Sequence, residues 1–205
     1  MQMSKRTKGL YISLIGVFIL SPDSLLIRLS NLSDISLIFY RGVLPAIATT
    51  LILLIYYKKD IIKAFVAIGF AGIFYAFLYS ITHITFAYSI QHTAVANTLV
   101  LIASAPIFTA ILSLILLKEN PTPITWLTIF FALISIIIIG WGSYTTDGFI
   151  GDIFALITGL CMAASAILVR YCKDKDLVPS VVIGCILTVF IVLPFSPDLT
   201  VNSEQ

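Results

Sequence analysis

The sequence predicts an all-α polytopic membrane protein with about seven transmembrane helices. Of its 205 residues, 60% are hydrophobic and 11% are charged, and the mean hydropathy is +1.08. Soluble chains carry about 25% charged residues. The apolar residues form blocks of roughly 18 to 25, the length that crosses about 30 Å of hydrocarbon as a helix. Helices are expected because backbone polar groups in lipid must find hydrogen-bond partners inside their own segment.

Turn residues and charged residues divide the apolar blocks into seven predicted helices. The first is interrupted at Pro22, and the fourth contains Pro106, both of which lack a backbone donor. The turn at residues 118–123, with the sequence KENPTP, ends the fourth helix. The predicted helices span about 9–29, 35–57, 65–89, 94–117, 124–141, 150–171 and 177–194.

Two similar segments predict an internal duplication. Gly151–Arg170 (GDIFALITGLCMAASAILVR) aligns without a gap with Gly9–Arg28 (GLYISLIGVFILSPDSLLIR), and the same register places Asp34 on Asp176. We therefore predict that the second copy of a repeated unit begins near residue 151.

This duplication predicts a division of the chain into two repeats and a tail. The first repeat, residues 1–146, contains five helices, and the incomplete second repeat, residues 147–194, contains two. Residues 195–205 form a polar tail. Because five is an odd number, the second copy is expected to lie inverted in the membrane, as in many secondary transporters. A chain with seven helices is then expected either to form a homodimer or to lack a C-terminal half.

Loop charge predicts the orientation. Lys and Arg accumulate on the cytoplasmic side of membrane proteins, so we expect a cytoplasmic N-terminus in a bacterial inner (plasma) membrane. That orientation places ten of the twelve Lys and Arg residues inside and only Arg28 outside. The ten are Lys5, Arg6, Lys8, Lys58, Lys59, Lys63, Lys118, Arg170, Lys173 and Lys175.

Composition argues against several other classes of function. The net charge of +2 is too small to indicate a nucleic-acid partner. Cys161, Cys172 and Cys185 form no CxxC pair, and His83 and His92 are not at metal-ligand spacing. The sequence also lacks HExxH, GxSxG and a phosphate-binding glycine loop. We therefore expect no catalytic residues, no metal and no cofactor.

Small residues recur at every fourth position on three of the predicted helices. In lipid, such stripes allow close backbone approach between helices, so they predict a packed bundle. The stripes are Gly72–Ala76–Ser80, Ala105–Thr109–Ser113 and Ala155–Gly159–Ala163. Two charged residues near helix ends have simple expected roles: Glu119 beside Lys118 in a turn, and Asp152 at the start of the sixth helix, where the helix dipole favours an acid.

The turn after the fourth helix carries a family resemblance. The run LLKENPTPITWL, with Pro106 before it and Glu119 and Trp126 within it, resembles the EamA-type family of the drug/metabolite transporter superfamily. The segments LLIRL at 25–29 and ILVR at 167–170 look like that family's two repeat starts. The resemblance implies a ten-helix carrier that transports small organic metabolites or drugs across the lipid bilayer by alternating access.

Polar residues within the helices are the best candidates for a substrate cavity, because ionisable groups in lipid are costly. Asp23 lies roughly 7 Å from the outer boundary, and Arg41 and His83 lie roughly 9 Å from it, at ~1.5 Å per residue. Tyr79 and Asn97 fall in the same outer half. The sequence therefore places polar groups from four helices in one layer.

Two interpretations of this layer remain open. Asp23 and Arg41 either form a structural ion pair between the first two helices, or they line a cavity in which a substrate carboxylate or phosphate competes for Arg41. In the second case His83 or a protonatable Asp23 couples transport to protons. Pro22 and Pro106 are either hinges or static kinks. The alternative to a transporter of amino-acid-like or amphipathic compounds is a non-transporting helical remnant or partner subunit.

Overall fold

The computed structural model describes residues 5–20, 22–30, 32–142 and 148–195, and all regular elements in these ranges are helical. The polar tail beyond residue 195 and the connection at residues 143–147 lie outside the described residues. The α-helices are α1 (Lys5–Leu20), α2 (Asp23–Leu29), α3 (Asp34–Tyr57), α4 (Ile61–Ala67), α5 (Gly69–His92), α6 (Val95–Ile102), α7 (Ala105–Leu112), α8 (Pro123–Gly142), α9 (Phe149–Tyr171) and α10 (Val178–Val192).

The predicted fold class, an all-α polytopic membrane protein, is confirmed. Six helical segments in the described part of the chain are long and apolar enough to cross a membrane, and Pro123–Ile138 is a shorter apolar helix. Large apolar side chains point outward along these helices, for example Phe70 at 83% exposure and Ile115 at 64%. A bundle with this surface needs lipid around it.

The chain divides into two units at residue 31, and the first unit contains α1 and α2. The predicted interruption is present, since α1 ends at Leu20 and α2 begins at Asp23. The carbonyl of Pro22 accepts the amide of Leu26 at 2.9 Å, so Pro22 acts as the N-cap of α2. Asp23 occupies the first turn of α2, where the positive end of the helix dipole favours an acid.

The second unit is organised around α5, which packs against α3, α9 and α10, while α9 also packs against α6 and α7. Hydrogen bonds between hydroxyl groups join these helices inside the bundle. Because lipid excludes water, each buried hydroxyl needs another side chain or a backbone group as its partner. Three buried pairs do so: Ser80 with Thr188 at 3.0 Å, Thr85 with Thr158 at 2.7 Å and Ser89 with Thr98 at 2.8 Å.

Small residues allow close approaches between helices, and one of them, Gly72, belongs to a predicted stripe. A Cβ at Gly72 would lie 2.7 Å from the hydroxyl of Ser180, and a Cβ at Gly184 would lie 2.9 Å from the carbonyl of Ala76. The first stripe of α5 therefore faces α10. A Cβ at Gly151 would lie 2.9 Å from the backbone nitrogen of Thr93, which brings α9 against the end of α5.

Polar contacts define one end of the second unit, which we call the basic end. There the hydroxyl of Tyr57 donates to the carboxylate of Asp176, and Arg170 pairs with Glu119 at 2.6 Å. The basic residues near this end are Lys58, Lys59, Lys63, Lys118, Arg170, Lys173 and Lys175.

The opposite end of the second unit has its own polar contacts. His92 Nε2 lies 2.6 Å from Asp34, and the hydroxyl of Thr93 donates to Asp152 at 2.8 Å. Since α3 begins at this opposite end and α10 begins at the basic end, these two helices run antiparallel. Asp152 lies in the first turn of α9, as predicted.

The predicted start of the third helix is wrong. The basic turn continues into a 3₁₀ turn (Lys58–Asp60) and the short helix α4, so the third spanning helix begins at Gly69 and not near residue 65. Gly69 has a φ of +58°, a left-handed conformation that glycine adopts without strain and that permits the turn between α4 and α5. The sequence pattern does not separate α4 from α5, because α4 and the start of α5 are both mainly apolar.

The fourth predicted helix consists of three pieces. It breaks between α6 and α7 at residues 103–104, and its last turn, Ser113–Leu117, is a π-helix. Pro106 lies in the first turn of α7 and not inside a continuous helix. A proline fits there because the amide that it lacks would have no helical partner in a first turn.

Candidate functional site

Arg41 and an aromatic row on α5 form a cluster that contains three of the predicted site residues. The rings of Tyr75 and Tyr79 stack with centroids 6.2 Å apart, and the rings of Tyr79 and His83 lie 4.4 Å apart. The guanidinium carbon of Arg41 lies 5.2 Å from the ring centroid of Phe86. Because these four α5 residues are separated by four, four and three positions, they share one face of the helix.

Arg41 therefore crosses from α3 to the row on α5. Its guanidinium lies over the ring of Phe86, on the helix face that also carries Tyr79 and His83. The cluster is only partly buried. Its partly exposed residues are Arg41, Tyr79, His83 and Phe86. The structure thus brings together three of the predicted residues, and it adds Phe86, which the sequence did not single out.

Glycines allow this cluster to sit against α10. A Cβ at Gly42, next to Arg41, would lie 2.7 Å from Val189 Cγ2 and 3.1 Å from the carbonyl of Cys185. A Cβ at Gly184 would lie 2.9 Å from Cδ1 of the Tyr79 ring. Gly42 therefore brings α3 close to α10 beside Arg41, and Gly184 brings α10 close to α5 at Tyr79.

The other predicted cavity residues have different surroundings. Asn97 is 8% exposed on α6, next to the fully buried Thr98, whose hydroxyl bonds Ser89 on α5. Asn97 thus lies in the packed joint between α5 and α6. Asp23 belongs to the first unit of the chain and Arg41 to the second, so the predicted Asp23–Arg41 ion pair stays a prediction.

A cleft between α7 and α9, which we call the α7–α9 cleft, opens near the basic end. It has a volume of about 630 Å³, and its walls come from α7, the turn at 118–122, the start of α8 and the second half of α9. The Glu119–Arg170 ion pair belongs to its lining, and each of the two side chains is 48% exposed.

Sequence reasoning did not identify this cleft. It gave Glu119 a local role beside Lys118, whereas Glu119 pairs with Arg170, 51 positions away. The stripes that contain Thr109 and Ala163 were expected only to pack, and they also line the cleft. The break before α7 and the π-helical turn after it divide this spanning segment, and neither has a distinct pattern in the sequence.

Comparison with protein families gives one match. A model of the EamA-like transporter family matches residues 7–141, which is more than half of the chain. Comparisons with curated proteins and with solved structures found no match. The match includes nearly all of α1, all of α2 to α7 and nearly all of α8, and therefore Arg41, the aromatic row and the KENPTP turn. The protein is a multi-pass membrane protein that belongs to the EamA-like transporter family.

Proposed function

We propose that this protein is a secondary transporter of small organic metabolites or drugs that works by alternating access. We further propose that Arg41 and the aromatic row of α5 contact the substrate. The observation that carries the proposal is the position of the Arg41 guanidinium, 5.2 Å from the centroid of Phe86 on the helix face that also carries Tyr79 and His83. A cation in a membrane helix is costly, so its placement on a partly exposed aromatic face favours a role in ligand contact.

The chemistry of the cluster favours an amphipathic anion. The guanidinium offers a planar set of donors that suits the two oxygens of a carboxylate or a phosphate. The rings of Tyr75, Tyr79 and Phe86 offer apolar faces for the rest of such a molecule. An amino-acid-like or similar amphipathic compound therefore has a partner for each of its parts.

Proton coupling is proposed for His83 or Asp23. The imidazole of His83 lies 4.4 Å from the ring of Tyr79, centroid to centroid, so a change in its charge would act directly on the row that holds the substrate. Histidine changes charge between pH 5 and 8 when it is unperturbed. Asp23 is the second candidate, and it requires the predicted approach to Arg41. Asn97 is proposed to support the cavity through the joint between α5 and α6.

Alternating access requires helices that can bend. Two spanning segments are interrupted next to prolines, at Pro22 and before Pro106, and the second also carries the π-helical turn. Broken helices of this kind are common around the sites of secondary transporters. The alignment of the two repeats makes α10 the counterpart of α3. These two helices run antiparallel, as expected if the second copy is inverted, and this supports the proposal.

Uptake measurements with variants of Arg41 test the proposal. A thermal-shift screen of the purified protein against amino acids, nucleosides and drugs would first supply a ligand. Arg41→Ala should abolish the ligand-induced shift and uptake while the protein stays in the membrane, and Arg41→Lys should retain part of both. Lys59→Ala, outside the cluster, is the control. Full uptake by Arg41→Ala at normal abundance would exclude the substrate role and leave the ion-pair interpretation.

A further inference from the structure

We propose that the α7–α9 cleft binds the head group of an aminophospholipid, in which an ammonium group and a phosphate are joined by two carbons. Glu119 would receive the ammonium group, and Arg170 would receive the phosphate. This site shares no residue with the Arg41 cluster, so it goes beyond the proposed transport function.

The argument begins with the ion pair at the cleft. Glu119 and Arg170 lie 2.6 Å apart, and half of each side chain is exposed. A half-exposed ion pair contributes little to the stability of the fold, so replacing it with contacts to a ligand costs little free energy. In a ligand that carries both charges, the ammonium group can take the place of Arg170 beside Glu119, and the phosphate can take the place of Glu119 beside Arg170. An anion alone would be repelled by Glu119, and a cation alone would be repelled by Arg170.

The walls of the cleft suit the rest of such a head group. Ala105, Pro106 and Ala166 present small apolar surfaces, while Thr109 and Thr125 add hydroxyl groups. The volume of about 630 Å³ falls within the range of roughly 300–1,000 Å³ that is typical of small-molecule sites. It is large enough for a head group and its glycerol, but not for acyl chains.

The position of the cleft points to lipid as the source of the ligand. Trp126, next to the lining residue Thr125, is 54% exposed, and tryptophan is enriched at the level of lipid head groups. Met162 lines the cleft and is 45% exposed, which gives acyl chains an apolar exit along α9. Lys118 and Arg170 place the cleft at the basic end of the bundle, where anionic groups of lipids are attracted.

The chemistry also predicts which lipids should bind weakly. The quaternary ammonium of a choline head group has no N–H, so it cannot donate a hydrogen bond to Glu119. A glycerol head group has no cation at all, so it leaves Glu119 facing the phosphate. Charge-assisted hydrogen bonds are the strong ones, and we expect the ethanolamine lipid to bind about tenfold more tightly than either of the others.

The test uses the full chain, purified in detergent, and its thermal unfolding with added phosphatidylethanolamine, phosphatidylcholine or phosphatidylglycerol of identical acyl chains. The concentration of phosphatidylethanolamine that stabilises wild type should be about tenfold lower than that of phosphatidylcholine or phosphatidylglycerol. Glu119→Gln removes the ammonium partner, and Ala166→Leu fills the cleft without changing charge. Each should abolish the preference. Asp60→Asn, which breaks the exposed ion pair with Lys63, and Val169→Leu, which adds bulk to α9 outside the lining, should retain it.

Soluble phosphoethanolamine distinguishes a lipid from a free ligand. If the lipid is the ligand, the soluble compound should compete with it only at higher concentration, because it buries less apolar surface. Stabilisation by the soluble compound but not by the lipid would overturn the lipid assignment. Equal stabilisation by all three lipids, or an unchanged preference in both Glu119→Gln and Ala166→Leu, would overturn the site. If one of these variants does not fold, the other decides.

Discussion

Ser80 on α5 and Thr188 on α10 are joined by a hydrogen bond of 3.0 Å between their hydroxyl groups, and neither side chain has any exposed surface. The bond lies between two helices that also approach each other at Gly184, where a Cβ would lie 2.9 Å from the carbonyl of Ala76. A buried hydroxyl in lipid has no water to replace a lost partner. The pair therefore fixes the register of α10 on α5, and through it the position of the Arg41 cluster.

Removing the hydroxyl of Thr188 should destabilise the bundle. Thr188→Val keeps the shape of the side chain but leaves Ser80 without this bond. Pairs of this kind in membrane helices couple by about 0.6 kcal/mol on average and at most about 1.7 kcal/mol. A double-mutant cycle with Ser80→Ala, followed by unfolding in detergent, measures the coupling. Ser135→Ala, whose hydroxyl is exposed and bonds within its own helix, should have little effect.

The sequence predicts the helices well because their length and apolarity are local properties. It could not predict that Tyr57 meets Asp176 or that Glu119 meets Arg170. Such pairs depend on the register between distant helices, which arises from the packing of small residues and not from hydropathy.

The site was partly predictable for a related reason. Arg41, Tyr79 and His83 were identifiable because each is a polar group within an apolar helix. Phe86 and the α7–α9 cleft were not, since an apolar ring, alanines and threonines are ordinary in such helices. Their role follows only from where the three-dimensional structure places them.

Alanine substitutions at two glycines of α9 should have different effects. A Cβ at Gly151 would lie 2.9 Å from backbone atoms of both His92 and Thr93, so α9 must move and stability should fall by about 1–3 kcal/mol. A Cβ at Gly159 would lie no closer than 3.6 Å to Ile102 and Ser104, which is an ordinary contact. Gly159→Ala should therefore be neutral or slightly stabilising, because alanine favours helix. Equal losses in thermal unfolding would contradict the packing of α9 on the end of α5.

The contact between Arg41 and Phe86 should be measurable without a known substrate. Cation–π pairs contribute about 0.5–1 kcal/mol when exposed and about 2 kcal/mol when desolvated. We expect Phe86→Leu to lower the unfolding temperature of wild type, and to lower it less when Arg41 is already alanine. Phe77→Leu on the same helix, at an exposed position, should show no such coupling. An equal response of Phe86→Leu in both backgrounds would remove the evidence that Phe86 positions Arg41.

Chemical labelling can test the inverted second repeat with a cysteine that the chain already contains. Cys172 lies in the turn between α9 and α10 at the basic end and is partly exposed, whereas Cys161 and Cys185 are buried. The positive charge at this end predicts that it faces the cytoplasm. A membrane-impermeant maleimide should therefore label Cys172 in inside-out vesicles but not in right-side-out vesicles.

Two introduced cysteines complete this experiment, each in a Cys172→Ser background. Ala94→Cys lies in the exposed turn between α5 and α6, at the opposite end of the bundle, and should show the reverse labelling pattern. Thr7→Cys, near the N-terminus, should be labelled from the same side as Cys172. Five helices place the start of the second repeat on the opposite side of the membrane, and α9 then returns the chain to the first side before Cys172. If Thr7→Cys and Cys172 were labelled from different sides, α9 would not be an inverted copy of the first helix. The alternating-access proposal would then lose its structural basis, while membership of the transporter family would stand.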